Sequence, residues 1–385
     1  MSTPVDEETA CDISSLLEML EQVPDRRKPR GKQYRLSFIL AVSLVATLAG
    51  ASSFRQIRDQ VADLPQPLLQ KLGGSWCFFR CRFGYPSERT IRRVLEDIDA
   101  AALDRIVGAW LRSVVRRGAD GVLALALDGK VVKGAWTDEH GQFTLFSALL
   151  HGEAVTIGQV QVPADTNEIT QVKALLEATP VQDGEDVVVT IDAAHTQRET
   201  ADYLKGTREF DYIMTVKGNQ PNLLKAVFDT CQPLLQNAPD HVVEEYDRGQ
   251  LRRWETWIID ATGIDVPHIK QAGCIRRTTI SPTGDCLRKE YAWPITSGTA
   301  TTITAADLHT HVRGHWSIEN KSHYPRDVTW REDAQQIYTG SGPQVLATLR
   351  NLALGLFRLN GINKIKETTE WIGRDRNRAL PLLVT

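Results

Sequence analysis

The chain has 385 residues, of which 42% are hydrophobic and 24% are charged. This length exceeds one typical domain, and the composition excludes a disordered or fibrous protein. The net charge of −3 and the pI of about 6.3 give no sign of nucleic-acid binding, so any DNA contact must come from local basic patches.

Cysteine spacing and the longest apolar run both point to an intracellular protein without a membrane partner. Of the six cysteines only Cys77 and Cys81 are close together, and no second pair stands at zinc-finger spacing. Free thiols in a reducing compartment are the expectation. The apolar run 36–51 is short for a membrane span and contains three hydroxyl residues, so it predicts a buried helix. We therefore expect a cytosolic protein.

The first third of the chain has mostly helical patterns. Residues 1–24 are acidic and predict a flexible N-terminus, apart from a short helix over 13–23. Residues 25–117 are typical of a small helical domain, in which Ser87 is the expected N-cap of a helix running to Ile98.

Two basic segments of this helical domain are candidates for DNA binding. The run 26–35 has six cationic residues and no acidic one, which suits phosphate binding. A second group lies near the start of the 87–98 helix, within reach of a DNA groove or backbone. An ordinary solvated surface explains the second group equally well, and the 26–35 run could merely solubilise the start of the hydrophobic helix that follows it. The predicted contacts are Arg26, Arg27, Arg30, Lys32, Arg89, Arg92 and Arg93.

After residue 118 the pattern changes to that of a mixed α/β domain. Three short apolar strands come first, followed by helix, strand, helix and strand, which is an RNase H-like order and not a doubly wound one. Alternating residues over 242–298 then predict a β-rich insertion at about 222–303. A helix with a Thr304–Asp307 capping box follows, and a final amphipathic helix is expected over 345–359. The predicted strands and helices are 122–127, 143–149, 154–162, 169–178, 186–191, 197–205, 212–216 and 305–324.

Two aspartates end strands that are otherwise apolar. Asp128 follows LALAL and Asp192 follows VVVTI, and in the predicted fold these strands are neighbours. Two close carboxylates repel each other, and hard divalent cations are the usual remedy. Each aspartate also has a simpler interpretation, because Asp-Gly is common in turns and Asp192 could cap the next helix.

A third candidate lies on the helix near residue 315. His315, Glu319 and His323 recur every four residues and share one face, with Arg326 one turn further on. A solvated helix face is one alternative. A zinc site formed by the first three residues is another, although a zinc ion usually needs ligands from more than one element.

Four separate phrases resemble DDE transposases of bacterial insertion sequences, in particular the H-repeat-associated (ISAs-type) branch. The phrases are LALDGKVVKGA, VTIDAAHTQRETADYL, DYIMTVKGNQPNLL and RGHWSIENKSHYPRDVTWREDAQQI. The N-terminal stretches DRRKPRGKQYRLSFILAVSLVATLAGASSFRQI and PSERTIRRVL resemble the transposase-associated domain of the same proteins. The resemblance extends in collinear order over residues 15–360.

This resemblance implies an RNase H-like catalytic domain over 118–385, with Asp128, Asp192 and Glu319 as catalytic carboxylates and metal ligands. Two Mg²⁺ ions, or Mn²⁺ in their place, would then support DNA strand cleavage and strand transfer. The implied partners are double-stranded DNA, as terminal inverted repeats and target, and a second copy of the chain in a dimer or larger synapse. The implied location is the bacterial cytoplasm, in association with the nucleoid when the protein is bound to DNA.

The resemblance also bears on the residues around these carboxylates. Relatives often place a Tyr, an Arg and a Lys where this chain has Val312, His315 and Arg326, of which the last two could contact phosphates. Pro325 predicts that the helix ends or kinks soon after Glu319. We also expect three residues after the fifth strand to hold the scissile strand, namely Lys217, Asn219 and Gln220.

Two other functions share these residues. A domesticated or degenerate relative would bind DNA or protein without catalysis, and an RNase H-fold nuclease would cut DNA without strand transfer. The intact carboxylate set favours the transposase over the degenerate relative, whereas the nuclease would use the same carboxylates and stays an alternative.

Overall fold

Six helices and a small hairpin form the N-terminal part of the computed structural model, which describes residues 13–115, 121–135, 141–164, 166, 168–182, 184–193 and 196–384. Every residue of the second helix is buried, as expected for a core helix. No helix in the described ranges is long and apolar enough to cross a membrane. The Ser87 side chain caps the fifth helix as predicted, by accepting a hydrogen bond from the Thr90 amide. The elements are α1 Ser14–Glu21, α2 Leu36–Leu48, α3 Phe54–Ala62, α4 Gln66–Lys71, β1 Trp76–Cys77, β2 Arg82–Phe83, α5 Glu88–Asp97 and α6 Ala100–Val114.

A nine-stranded sheet forms the centre of the molecule. Its strands are β3 Leu123–Val131, β4 Thr144–Leu150, β5 Thr156–Val162, β6 Val187–Ile191, β7 Asp211–Val216, β8 His241–Asp247, β9 Gln250–Asp260, β10 Gln271–Ile280 and β11 Cys286–Thr296. They are ordered β5-β4-β3-β6-β7-β11-β10-β9-β8. The first three are antiparallel neighbours, whereas β6 and β7 run parallel to β3. This is the RNase H-like arrangement that the sequence predicted, with a mixed α/β fold.

The β-rich insertion extends the central sheet. Strand β11 pairs antiparallel with β7, and β10, β9 and β8 follow in turn. Strand β10 was not singled out from the sequence, because Arg276 and Arg277 interrupt its apolar pattern.

Helices cover the sheet, and α12 differs from its prediction. The sequence indicated a final amphipathic helix, but residues 342–357 are all buried, and a further helix follows. Helix α12 packs against α2 and α6 as well as β5, so its polar residues face other protein groups and not solvent. The remaining helices are α7 Val172–Ala178, α8 Arg198–Asp202, α9 Pro221–Cys231, α10 Ala305–His315, α11 Tyr324–Trp330, α12 Gly342–Leu359 and α13 Ile365–Arg374.

One hydrophobic core includes both the N-terminal helices and the sheet. Helix α6 lies directly on β5, where a Cβ on Gly108 would come within 2.0 Å of the Ile157 carbonyl oxygen. The expected boundary near residue 117 therefore marks a change of secondary structure within a shared core, and the division into domains stays a proposal.

Candidate functional site

Asp128 and Asp192 occupy consecutive positions on neighbouring strands. The last register pair between the parallel strands β3 and β6 is Leu127 with Ile191. The residue that follows is Asp128 in the first strand and Asp192 after the second. Paired residues of adjacent strands point to the same face of a sheet. Both carboxylates therefore belong to one face, which Thr190 also shares, two residues before Asp192.

Helix α10 lies against this face of the sheet. The predicted capping box at its start is present, with Thr304 and Asp307 bonded reciprocally. At its end His315 Nδ1 lies 3.1 Å from Thr190 Oγ1, a hydroxyl that is also 2.9 Å from His151 Nε2.

Gly314 allows the helix this close approach. A Cβ at this position would lie only 2.2 Å from His151 Nδ1, so a side chain would displace either the helix or the histidine ring. This contact could not be predicted from the sequence, because Gly314 and His151 are far apart along the chain.

The segment carrying Glu319 continues α10 through a π-helical turn, Glu319–His323. The Tyr324 amide donates to the Glu319 carbonyl, and the next residue, Pro325, has no amide hydrogen to donate. The predicted kink at the proline is thus a π turn, after which helix resumes as α11.

Both ends of this turn touch the sheet. Ile318 belongs to a small apolar cluster with Ala126 of β3, and His323 Nδ1 lies 3.6 Å from Asp128 Oδ2. Glu319 therefore stands on a segment fixed on one side at Thr190 and on the other at Asp128.

Cationic and imidazole groups lie beside the two aspartates. Lys217 Nζ lies 2.8 Å from Asp192 Oδ1. Burial raises the pKa of Asp192, but the hydrogen bond and charge of Lys217 outweigh it, so the pKa falls below its ordinary value. Burial, with the nearby Arg326 and Lys130 charges, lowers the pKa of His323 to about 3, so its imidazole is neutral at physiological pH.

The Glu319 side chain is exposed, and it makes no hydrogen bond or ion pair with the described part of the chain. Across the described ranges, no three His, Cys, Asp or Glu side chains come together as a group that could hold a metal ion. The three carboxylates that the sequence predicted to converge thus share a sheet face and its covering helix without forming a closed ligand cluster.

The three residues after β7 contact the loop that follows Asp192. Lys217 is 60% exposed despite its ion pair. Asn219 Nδ2 donates to the Ala193 carbonyl at 2.8 Å, and the Gln220 amide donates to the Thr196 carbonyl. Asn219 and Gln220 therefore stabilise this loop, whereas Lys217 pairs with Asp192 and remains largely exposed.

The basic run 26–35 is partly neutralised, contrary to expectation. Arg27 is largely buried and pairs with Asp25 at 2.9 Å, and Lys32 pairs with the same carboxylate at 3.4 Å. Arg26 is 70% exposed but lies 2.6 Å from Asp99. The acid immediately before the run, Asp25, was the signal that the sequence interpretation overlooked.

Among the remaining basic candidates, three keep their charge unpaired within the described ranges. Arg92 lies 2.6 Å from Glu88 on the same helix. The three exposed residues without an ion pair are Arg30, Arg89 and Arg93.

Arg326 is not available for DNA contact, which corrects its predicted role. Its side chain is fully buried and lies 2.8 Å from Glu332, which in turn pairs with Arg350. Val312, at the position where relatives have a tyrosine, is buried in an apolar cluster with Ile213 and Leu308. Both residues stabilise the packing of the helix that carries Glu319.

Comparisons with known proteins agree over nearly the whole chain. Residues 17–111 match the family model described as DDE_Tnp_1-associated, and residues 123–356 match that of the transposase DDE domain. YncI of Escherichia coli O157:H7, named as a candidate transposase, is 27% identical over 90% of this chain and 88% of its own length. YhhI of E. coli K12, named as an H repeat-associated candidate transposase, is 24% identical over 95% of this chain and 97% of its own.

A solved structure of similar fold is the piggyBac transposase synaptic complex with hairpin DNA, at 10% identity and a TM-score of 0.42, covering 95% of this chain and 76% of the other. The family models, matching more than half of the chain, and the RNase H-like sheet lead to the same assignment. The chain belongs to the DDE transposase family, and its relatives include the H repeat-associated proteins.

Proposed function

We propose that this chain binds the ends of a mobile element and catalyses metal-dependent DNA strand cleavage and strand transfer. The observation that supports this most strongly is the register of β3 and β6, which gives Asp128 and Asp192 neighbouring positions on one face. The helix carrying Glu319 crosses the same face, fixed by His315 and His323.

The donor chemistry fits Mg²⁺, with Mn²⁺ as its expected substitute. Asp128, Asp192 and Glu319 offer hard carboxylate oxygens, which these cations prefer. When bound, two such ions supply activation of water or a DNA 3′-OH and stabilisation of the leaving oxygen. As the carboxylates converge, neutral His323 would move away from Asp128 and cationic Lys217 would move away from Asp192.

The chain's own residues prepare the site. Lys217 keeps Asp192 ionised, and its exposed ammonium can then move to a phosphate of the scissile strand. Asn219 and Gln220 hold the backbone after Asp192. Thr190 anchors His315, so that the segment with Glu319 stays over the sheet.

The proposed partners are double-stranded DNA and a second copy of the chain. Joining both ends of an element requires two sites that cut DNA, so we propose a dimer or larger assembly on terminal repeats and target DNA. The exposed, unpaired cations Arg30, Arg89 and Arg93 are suitable phosphate contacts, because each releases counterions on binding.

The Asp192→Asn variant tests this function. We expect it to bind DNA from either flank of the coding sequence at least as tightly as the wild type, and to lose Mg²⁺-dependent cleavage of that DNA. Asp186→Asn is the matched control, because Asp186 is an exposed carboxylate at the opposite end of β6. Cleavage by the Asp192 variant at a rate near that of wild type would exclude the proposed site. Binding without cleavage by the wild type would instead support a non-catalytic DNA-binding relative.

A further inference from the structure

The hairpin of β1 and β2 presents two aromatic rings to solvent. Phe78 is 83% exposed and Phe79 is 101% exposed. Both lie in a short 3₁₀ turn, Phe78–Arg80, which ends at Cys81 with a left-handed φ of 46°. Two adjacent phenylalanines on a surface leave a large apolar area in water, which is unfavourable unless a partner covers them.

The hairpin base holds these rings outward. Trp76 and Phe83 pack edge to face across the two strands with their centroids 5.1 Å apart. The Phe83 amide donates to the Gln66 side chain at 2.7 Å, which connects the hairpin to the first residue of α4. The aromatic turn is therefore displayed on a supported element.

The surroundings of this turn are cationic. The sequence contains no acidic residue between Asp63 and Glu88, whereas Arg80 and Arg82 closely follow the two phenylalanines. Both arginines are exposed, and neither forms an ion pair with any residue that the structure describes. A protein partner would have to be acidic as well as apolar, whereas DNA offers phosphates and base faces together.

A cleft connects the hairpin to the other basic segments. Its volume is about 620 Å³, and its walls include Tyr34 at the end of the basic run and Ser87 at the start of α5. The Tyr34 hydroxyl donates to the Tyr85 carbonyl at 2.8 Å, which joins the two walls. Arg89 lies in the first turn of α5, two residues after Ser87, so this wall of the cleft also carries an exposed cation.

We propose that the Phe78–Phe79 turn stacks on unpaired or unstacked bases of DNA while Arg80 and Arg82 contact the flanking phosphates. Aromatic side chains in a positively charged groove bind bases in this way without reading their sequence, and inserted apolar side chains also open base steps. The proposal rests on the proposed function only in that the chain binds DNA. It adds a second contact, made by residues other than the carboxylates, that favours distorted DNA.

The test compares two short DNA probes in EDTA, where no cleavage occurs. One is a fully paired duplex, and the other is the same duplex with a small central bubble of mismatched bases. We expect the wild type to prefer the bubble duplex. The double variant Phe78→Ala/Phe79→Ala should lose that preference, with binding to the bubble weakened about tenfold or more and binding to the paired duplex little changed. The variant Arg80→Ala/Arg82→Ala should weaken binding to both probes and reduce the log–log salt slope by about 0.9 for each contact.

Tyr246→Ala is the matched control, since Tyr246 is an aromatic residue 82% exposed on the acidic strand β8. It should leave both affinities unchanged. A phenylalanine variant that keeps the bubble preference would overturn the proposal, and so would one that weakens both probes equally or changes only the oligomeric state. If the wild type cleaves DNA in an Asp192-dependent manner but has no bubble preference, this inference fails and the proposed function stands. If the wild type binds neither probe, both fail.

Discussion

Each of the two aspartates has a neighbour from another element, Lys217 beside Asp192 and His323 beside Asp128. A charged residue at the end of an apolar strand pointed to Asp128 and Asp192, because burying a lone carboxylate is costly. Their partners could not be predicted in the same way. Lys217 reaches Asp192 only because β7 lies beside β6, and His323 reaches Asp128 only through the π turn. Of the three residues that the spacing places on one helix face, His315 and His323 contact residues of the sheet, whereas the Glu319 side chain is exposed.

Replacing Lys217 with alanine should raise the pKa of Asp192. Burial already raises this pKa, and the lysine is the main group that lowers it, so its removal leaves the burial effect unopposed. Carbon-13 NMR titration of labelled aspartate carboxyls would measure the change. Lys205→Ala is the control, because Lys205 pairs with Asp211 at the start of β7 and should not affect Asp192. An unchanged Asp192 titration in the Lys217 variant would contradict the assigned ion pair.

The element that decides the geometry of the site is the helix from α10 through the π turn to α11. Its start and its irregularity were predictable from local chemistry, since Thr304 caps it and Pro325 cannot donate a backbone hydrogen bond. Its position over the sheet was not predictable, because that depends on Gly314 meeting His151 across a long stretch of chain. The insertion strands were likewise visible as β structure, but their union with β7 depends on a pairing that leaves no local pattern.

Gly314→Ala should destabilise the protein and reduce cleavage. In an ordinary helix this change stabilises by about 1 kcal/mol. Here the new Cβ would lie 2.2 Å from His151 Nδ1, and such overpacking typically costs about 1–3 kcal/mol. The free energy of unfolding in urea and the cleavage rate would both be measured.

Two further variants identify the cause. Gly152→Ala, where an added Cβ meets nothing within 4 Å, should be close to neutral. The double variant His151→Ala/Gly314→Ala should recover part of the loss, because the clash is removed. A stabilised Gly314 variant would show that the helix does not press on His151.

At the scale of the whole molecule, buried polar groups join the N-terminal helices to the central sheet. Asp104 of α6 accepts hydrogen bonds from Gln159 of β5 and from Gln344 of α12. Glu332 pairs with Arg326 and Arg350, so the segment after Glu319 is tied to α12. The sequence suggested a solvated polar face on α12, because the partners of these residues lie far away in the chain.

Glu332→Gln should destabilise the fold by about 3–5 kcal/mol, since it leaves two buried guanidinium groups without their shared carboxylate. Glu367→Gln, which removes an exposed pair with Lys364, should cost less than about 1 kcal/mol. Unfolding in urea measures both. Similar values for the two variants would contradict a structural role for Glu332.

The ion pairs of Glu332 with Arg326 and Arg350 predict that the stability of the fold depends on pH. Burial raises the pKa of Glu332, but Arg326 and Arg350 outweigh it and lower the pKa from 4.5 to about 2. A depressed carboxyl pKa stabilises the fold fully above the unfolded value and loses that stabilisation as pH falls. Wild-type stability should therefore decline between about pH 4.5 and pH 2, and the Glu332→Gln variant should decline less steeply over that range.

In the proposed site, Asp128, Asp192 and Glu319 together hold the ions that support DNA cleavage. Anomalous X-ray diffraction from crystals grown with Mn²⁺ and a short DNA duplex tests it most directly, because the anomalous signal locates the ions without any assumption about the protein. We expect an ion bound by Asp128 and Asp192, with Glu319 as a further ligand and Lys217 moved away from Asp192. Ordered Mn²⁺ found only elsewhere, with Lys217 still paired to Asp192, would contradict it.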